Sequence, residues 1–255
     1  MKLKVLGCSG GIGGRNARTT AFLADDDILI DAGTGVGDLE LDELARIDHI
    51  FVTHSHLDHI ASIPLLVDSV GDLRSVPVTI HATPDTLRIL RAHVFNWLIW
   101  PDFTVIPDEH RPYMRFHPLT VGEPVRLGSR TITPLPALHT VPAVAYCLDS
   151  GRGKLVYTGD TAYCAELIAA INRLDDLRHL IIETAFSDSQ HGLALAARHL
   201  CPATLAAMLQ DLAVSPEVFV THLKPGQGER IMREIADSGA GSPPLALEQG
   251  QVIEF

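Results

Sequence analysis

Three histidines and an aspartate fall within the six residues His54-Ser55-His56-Leu57-Asp58-His59, directly after the strand-like run Ile50-Phe51-Val52. Burying that many imidazoles beside a carboxylate is costly unless a cation compensates, and a solvated loop has no need of them. The block therefore reads as a metal-binding loop at a strand end. His54 and His56 can turn toward one ion, and Asp58 and His59, in the next turn, toward a second. Imidazole and carboxylate ligands at this density suit zinc, with manganese or iron also compatible. The isolated residues His49, His81, His93, His110, His117, His179 and His191 carry no comparable pattern.

A chain of 255 residues with 46% hydrophobic content can close a substantial core, as one large domain or two fused halves. Strand-like runs occur at Leu3-Leu6, Thr20-Leu23, Ile28-Ile30, His49-Val52 and Val78-His81, with an amphipathic stretch around Leu39-Ile47. A second series follows at Val125-Leu127, Thr131-Leu135, Val144-Leu148 and Leu155-Tyr157. Helix-like stretches Cys164-Leu174, Ala203-Leu212 and Glu229-Ala236 then alternate with strand-like Leu180-Ile182 and Val218-Val220. This order predicts two β-rich halves packed face to face with helices outside. Pro202 suits the opening of a helix, where its missing N–H costs nothing.

The cysteines Cys8, Cys147, Cys164 and Cys201 are scattered and read as reduced and structural. The start of the chain has no apolar stretch long enough for a signal peptide or membrane span, so the expectation is a soluble, cytoplasmic protein. A formal charge of −11 and the lack of a Lys/Arg-rich stretch disfavour long nucleic acids. The segment holding Phe95, Trp97, Trp100, Phe103, Tyr113 and Phe116 reads as a hydrophobic cluster anchoring a long connection, or else as a lid. The turn Ser9-Gly10-Gly11-Ile12-Gly13-Gly14 reads as a flexible loop, or else as one whose N–H groups approach a phosphate.

The pattern His54-x-His56-x-Asp58-His59 resembles the signature of the metallo-β-lactamase superfamily. That resemblance implies a single α/β domain over residues 1–255, a four-layer αβ/βα sandwich with two divalent metals at the rim between its sheets. It places His139 as the third histidine of the first metal, Asp160 in Thr158-Gly159-Asp160-Thr161 as the bridging carboxylate, and His222 as the last ligand of the second metal. Asp31, in Leu29-Ile30-Asp31-Ala32-Gly33, matches an early aspartate that supports the ligands through hydrogen bonds, although a strand-end turn residue would look the same.

The run from His54 to Asp68 is similar to the signature of class II 3′,5′-cyclic-nucleotide phosphodiesterases. It departs from that pattern at Pro64, Val67 and Asp68. Ile181-Ile182-Glu183-Thr184-Ala185-Phe186 with His199-Leu200-Cys201-Pro202 resembles the tRNA 3′-end processing ribonucleases (tRNase Z), as does Gly14-Arg15-Asn16; Ile182 stands where that family has a histidine. These resemblances imply a phosphodiesterase in which a hydroxide shared by two metals, zinc foremost, attacks phosphorus and converts a cyclic nucleotide to a 5′-nucleotide. Asp58, Glu183 and His199 are the candidate catalytic residues, the last two as an acid/base pair. The implied partner is a small phosphodiester such as a cyclic nucleotide, with no long nucleic acid, no membrane, and a homodimer left open. Rival readings are a tRNase Z-like ribonuclease, a lactone or thioester hydrolase, and a non-catalytic regulatory protein that keeps the fold.

Overall fold

The structure, a computed structural model, describes residues 1–239 and 243–255. Strands β1 (Lys2–Gly7), β2 (Ala21–Ala24), β3 (Ile28–Ile30), β4 (His49–Phe51), β5 (Val78–Ala82) and β6 (Met114–Pro118) build the first sheet. Strands β7 (Val125–Leu127), β8 (Arg130–Pro136), β9 (Val144–Asp149), β10 (Lys154–Tyr157), β11 (Leu177–Glu183), β12 (Glu217–Thr221) and β13 (Leu245–Ala246) build the second. The last strand, β14 (Val252–Glu254), returns to pair with β1, so both sheets have seven strands among the described residues. In the first sheet β3 to β6 run parallel; in the second, β10 to β13 do.

Alternation along these strands explains the layering. Ile28, Ile30 and Phe51 enter a core between the sheets, where Tyr146, Leu155, Tyr157 and Ile181 meet them. Their neighbours Leu29 and Ile50 face outward, onto α3 (Ile63–Val70) and α4 (Pro84–His93), which follow the short helices α1 (Leu41–Leu44) and α2 (Leu57–Ile60) in the chain. On the second sheet Val156, Leu180 and Ile182 face outward onto α5 (Ala165–Ile171), α7 (Pro202–Gln210) and α8 (Gly228–Asp237), with α6 (His191–Ala197) lying before α7. Helices therefore cover the outer face of each sheet. Strands buried on both faces read as unbroken apolar runs, and burying each large side chain contributes about 1.5–3 kcal/mol.

Several expectations are corrected in detail. The amphipathic stretch Leu39-Ile47 yields only a four-residue helix, Leu41–Leu44, opened by Glu40, whose backbone N–H donates to the Glu43 carboxylate at 2.9 Å. The aromatic segment is not all connection: its end is the edge strand β6. Phe95 and Phe103 are buried, and Trp100, Tyr113 and Phe116 pack against the same outer core, while Trp97 is 63% exposed. This supports the anchoring reading over the lid. Pro64 sits in the first turn of α3, where the lost N–H is harmless.

One ion-pair cluster ties the sheets together. Arg130 on β8 reaches the β2–β3 turn, donating to both Asp27 carboxylate oxygens at 2.6 and 2.7 Å and to Asp25 at 3.0 Å. The Arg130 hydrogen bond holds the Asp27 carboxyl below its ordinary value against the opposing effect of burial. Arg130→Met is expected to cost about 1 kcal/mol at pH 7, a modest figure because water screens the pair. The contribution is fully present above the unfolded carboxyl value of ~3.9 and is lost as pH falls through the lower folded value. In urea unfolding the gap between wild type and variant should therefore close in acid; a gap that persists there would dissociate it from this pair.

Candidate metal centre

The site gathers at the carboxyl ends of the parallel strands. Beyond β4 the chain passes through Val52 and Thr53, and His56 then caps α2, whose first turn carries Asp58 and His59. That turn is pinned to the end of β3: the Ala32 N–H donates to the His59 carbonyl at 2.7 Å. Gly33 lies so close to it that an added Cβ would come within 2.2 Å of the Asp58 carbonyl oxygen. His139 follows β8, Asp160 follows β10, Glu183 ends β11 and His222 follows β12.

Two groups form there. His54, His56, His139 and Asp160 converge, as do Asp58, His59, Asp160 and His222, with Asp160 common to both. Within the first, His139 Nε2 lies 3.2 Å from His56 Nδ1 and His54 Nε2 lies 3.7 Å from Asp160 Oδ2. In the second, Asp160 Oδ2 is 3.4 Å from His59 Nε2 and Asp160 Oδ1 is 3.3 Å from His222 Nδ1. Asp58 Oδ2 is 3.8 Å from both His59 Nε2 and His222 Nε2. Tetrahedral ligands ~2.0–2.1 Å from zinc lie about 3.3 Å apart, so these spacings suit donors around a cation. His54 Nε2, His59 Nε2, Asp160 Oδ1 and His222 Nδ1 are buried without a hydrogen-bond partner, which is costly unless something else satisfies them. The residues fit divalent metal ions.

Asp31 orients donors in both groups. It is fully buried and accepts from the Thr53 N–H at 2.8 Å, from the Thr53 hydroxyl at 2.8 Å and from His59 Nδ1 at 2.7 Å. Because the Thr53 proton goes to Asp31, the contact of Thr53 Oγ1 with His54 Nδ1 at 3.0 Å requires the proton on that ring nitrogen. In their neutral forms both imidazoles then turn the Nε2 lone pair toward Asp160. Asp31 and His222 each adopt left-handed backbone (φ 56° and 61°), a strain that the surrounding hydrogen bonds sustain.

Burial, reinforced by repulsion from His59, drives His54 well below the ordinary imidazole value. Burial likewise pushes His139 down to about 4 and His222 to about 3. His59 goes the other way: burial opposes its charge, but the Asp160 and Asp31 carboxylates outweigh that and raise it. Asp160 is held well below the carboxylate range, with His222 and His59 overcoming the effect of burial.

Glu183 and His199 form a pair beside this centre. His199 Nδ1 donates to Glu183 Oε1 at 2.7 Å, and Glu183 also accepts from the Thr161 and Leu200 N–H groups at 3.0 and 3.3 Å. Both are buried and grouped with Asp160. The His199 ring stacks on His222 at 5.2 Å between centroids and meets His139 edge-on at 4.9 Å. Burial raises the Glu183 carboxyl; for His199, burial opposes the charge but Glu183 prevails and the imidazole holds its proton more tightly.

All the candidates named from sequence thus come together. The glycine turn does something other than expected: the Gly10 N–H is taken by the Leu223 carbonyl at 3.0 Å, and a Cβ on Gly10 would stand 2.3 Å from the His222 carbonyl oxygen. Its smallness seats His222 and leaves that N–H unavailable to a phosphate. Sequence reasoning missed Thr53 and Arg198. The Arg198 carbonyl accepts from His139 Nδ1 at 3.0 Å, and its guanidinium donates to the His139 carbonyl at 2.6 Å. Neither residue carries a sequence signal for these roles.

Comparison with known proteins agrees with this architecture. A probable 3′,5′-cyclic-nucleotide phosphodiesterase of Yersinia pestis is 26% identical over 244 residues, covering 82% of this chain and 68% of that protein. Ribonuclease Z of Pyrobaculum aerophilum is 28% identical over 223 residues, covering 74% of each. The crystal structure of unliganded yeast PDE1 superposes with a TM-score of 0.80 at 20% identity, covering 100% of this chain and 99% of that one. Residues 26–223 match the family described as Beta-lactamase superfamily domain, and the chain belongs to that family as a hydrolase of the metallo-β-lactamase fold.

Proposed function

We propose that the chain binds two divalent ions, zinc foremost, one among His54, His56, His139 and Asp160 and one among Asp58, His59, Asp160 and His222. On this reading it hydrolyses small phosphodiesters, 3′,5′-cyclic nucleotides above all, to 5′-nucleotides. The observation that carries it is the Glu183–His199 pair, closed at 2.7 Å beside the carboxylate common to both groups. Divalent ions held here would supply Lewis acidity toward a phosphoryl oxygen and bring the pKa of water from ~15.7 to about 7.

The chain's own residues supply the rest. With Nδ1 committed to Glu183, His199 has its other ring nitrogen available to hydrogen-bond a phosphoryl oxygen or protonate a departing ester oxygen. Glu183, held by two backbone N–H groups, keeps that ring oriented. Asp58 is 30% exposed at its side chain and stands at the open side of the second group, where it can accept a proton from a nucleophile. The net charge of −11 supports a small substrate over a long polyanion, which favours the cyclic-nucleotide reading over a ribonuclease.

The test is hydrolysis by purified, metal-loaded protein of 3′,5′-cyclic AMP, a chromogenic phosphodiester, a precursor tRNA and a lactone. Turnover of the chromogenic compound without cyclic AMP would sink the cyclic-nucleotide assignment. His199→Ala is expected to lower turnover about 10²–10⁴-fold while bound metal stays constant by elemental analysis. Unaltered turnover would remove His199 from the chemistry.

A further inference from the structure

A cavity of about 430 Å³ opens beside His139, lined among others by Thr83, Asp85, Val121, Leu138, Thr140 and Arg198. His139 itself forms part of its wall, so the cavity adjoins the first ligand group. No role in the site so far described uses it.

Arg198 is its most telling residue. Its backbone is left-handed (φ 53°, ψ 51°), a conformation glycine adopts without strain and an arginine does not. Two of the other non-glycine residues with positive φ, Asp31 and His222, belong to the metal centre. What holds the His139 imidazole is the Arg198 carbonyl, which any residue provides. The guanidinium spends one donor on the His139 carbonyl and, among the described residues, has no carboxylate partner. Arg198 is exposed, so its remaining N–H groups are open to solvent or to a ligand entering the cavity.

The rest of the lining narrows what that is. Val121 and Leu138 stand 47% and 42% exposed, an apolar surface suited to the face of a planar ring. Thr83 and Thr140 add hydroxyls. Asp85, paired with Arg88 at 3.0 Å, adds a carboxylate that repels a second phosphate and accepts from neutral donors. The cavity falls within the ~300–1,000 Å³ usual for small-molecule sites.

We propose that this cavity is the subsite for the nucleoside group of a phosphodiester substrate, with Arg198 selecting that group by donating to its acceptor atoms. The proposal rests on the phosphodiesterase reading above. It adds which substituent of the ester is recognised, where, and by which side chain.

Two p-nitrophenyl diesters with the same leaving group test it, one bearing thymidine through its 5′-phosphate and one bearing methyl. Metal-loaded wild type should prefer the thymidine ester by at least about tenfold in kcat/KM. Arg198→Gly, which suits the left-handed backbone, and Val121→Trp, which fills the cavity from an exposed position, should each reduce that preference below about threefold. A purely structural role for Arg198 would depress both esters alike and leave the ratio unchanged. A ratio unchanged in both variants overturns the subsite. Calorimetric binding of 5′-AMP to the metal-loaded protein separates the two readings. If neither ester nor 3′,5′-cyclic AMP is hydrolysed the phosphodiesterase reading falls, and the subsite then stands only if 5′-AMP binds and both variants weaken it. Absence of 5′-AMP binding, or affinity unchanged in both variants, overturns it.

Discussion

Asp160→Ala should strip the centre of metal and lower hydrolysis by at least about 10³-fold, equivalent to ~4 kcal/mol of transition-state stabilisation. The size of the effect follows from position. Asp160 is the one side chain common to both ligand groups, with Oδ2 turned to His59 and His54 and Oδ1 to His222. Its loss lowers each group from four candidate donors to three and removes an anion that would offset the charge of the two proposed cations. Elemental analysis after dialysis against buffered metal should find well below the roughly two ions per chain expected of wild type. Circular dichroism should stay near wild type, because the strands that carry these residues are held by apolar cores on both faces. Full retention of both ions in Asp160→Ala would refute a shared ligand.

The second large effect concerns Asp31, which is expected to contact no metal. Asp31→Ala leaves the Thr53 N–H, the Thr53 hydroxyl and His59 Nδ1 without their acceptor in a fully buried pocket. At about 1–3 kcal/mol for each stranded donor, partly relieved by relaxation, the cost is roughly 3–5 kcal/mol. For a chain of this size that lowers the melting temperature by about 10 °C. Metal affinity should also fall ~10–100-fold, because His54 and His59 lose what fixes their tautomers.

Asp31→Asn separates the two consequences. The amide oxygen can still accept from the Thr53 N–H, but its NH2 then faces His59 Nδ1, which must give up its proton to accept. That puts the proton on Nε2, the atom that faces Asp160. Asp31→Asn is therefore expected to melt closer to wild type than Asp31→Ala while losing metal from the His59 group. If it binds metal as well as wild type, Asp31 does not act through the tautomer.

Much of the frame was legible in the chain itself. Runs such as Ile28-Leu29-Ile30 and His49-Ile50-Phe51 are strands because branched and aromatic residues buried on both faces leave few alternatives. Shorter or mixed segments were not legible. The strand Met114–Pro118 is hidden in an aromatic stretch at a sheet edge, with Arg115 and His117 exposed. Helix α3 is buried along much of its length and so lacks a clear polar face.

The candidate site divides in the same way. His54, His56, Asp58 and His59 were nameable because metal chemistry restricts residue type, whereas His139, Asp160, His222, Glu183 and His199 were named through resemblance to known families at recognisable strand ends. Sequence by itself thus named the candidate donors and determined the layered α/β frame and the acidic charge. Only the tertiary structure decided how the donors are aimed. Thr53 meets Asp31 across 22 residues, His59 meets it across 28, and the Arg198 carbonyl meets His139 across 59. Such contacts depend on which strands lie side by side and in what register, and a carboxylate, a threonine or a main-chain carbonyl looks the same in the chain whether or not it will find an imidazole. The same holds for the cavity beside His139, whose walls come from the segments after β5, β6 and β8 and the residue before His199. A cavity is a property of packing, and packing joins residues that the sequence keeps apart.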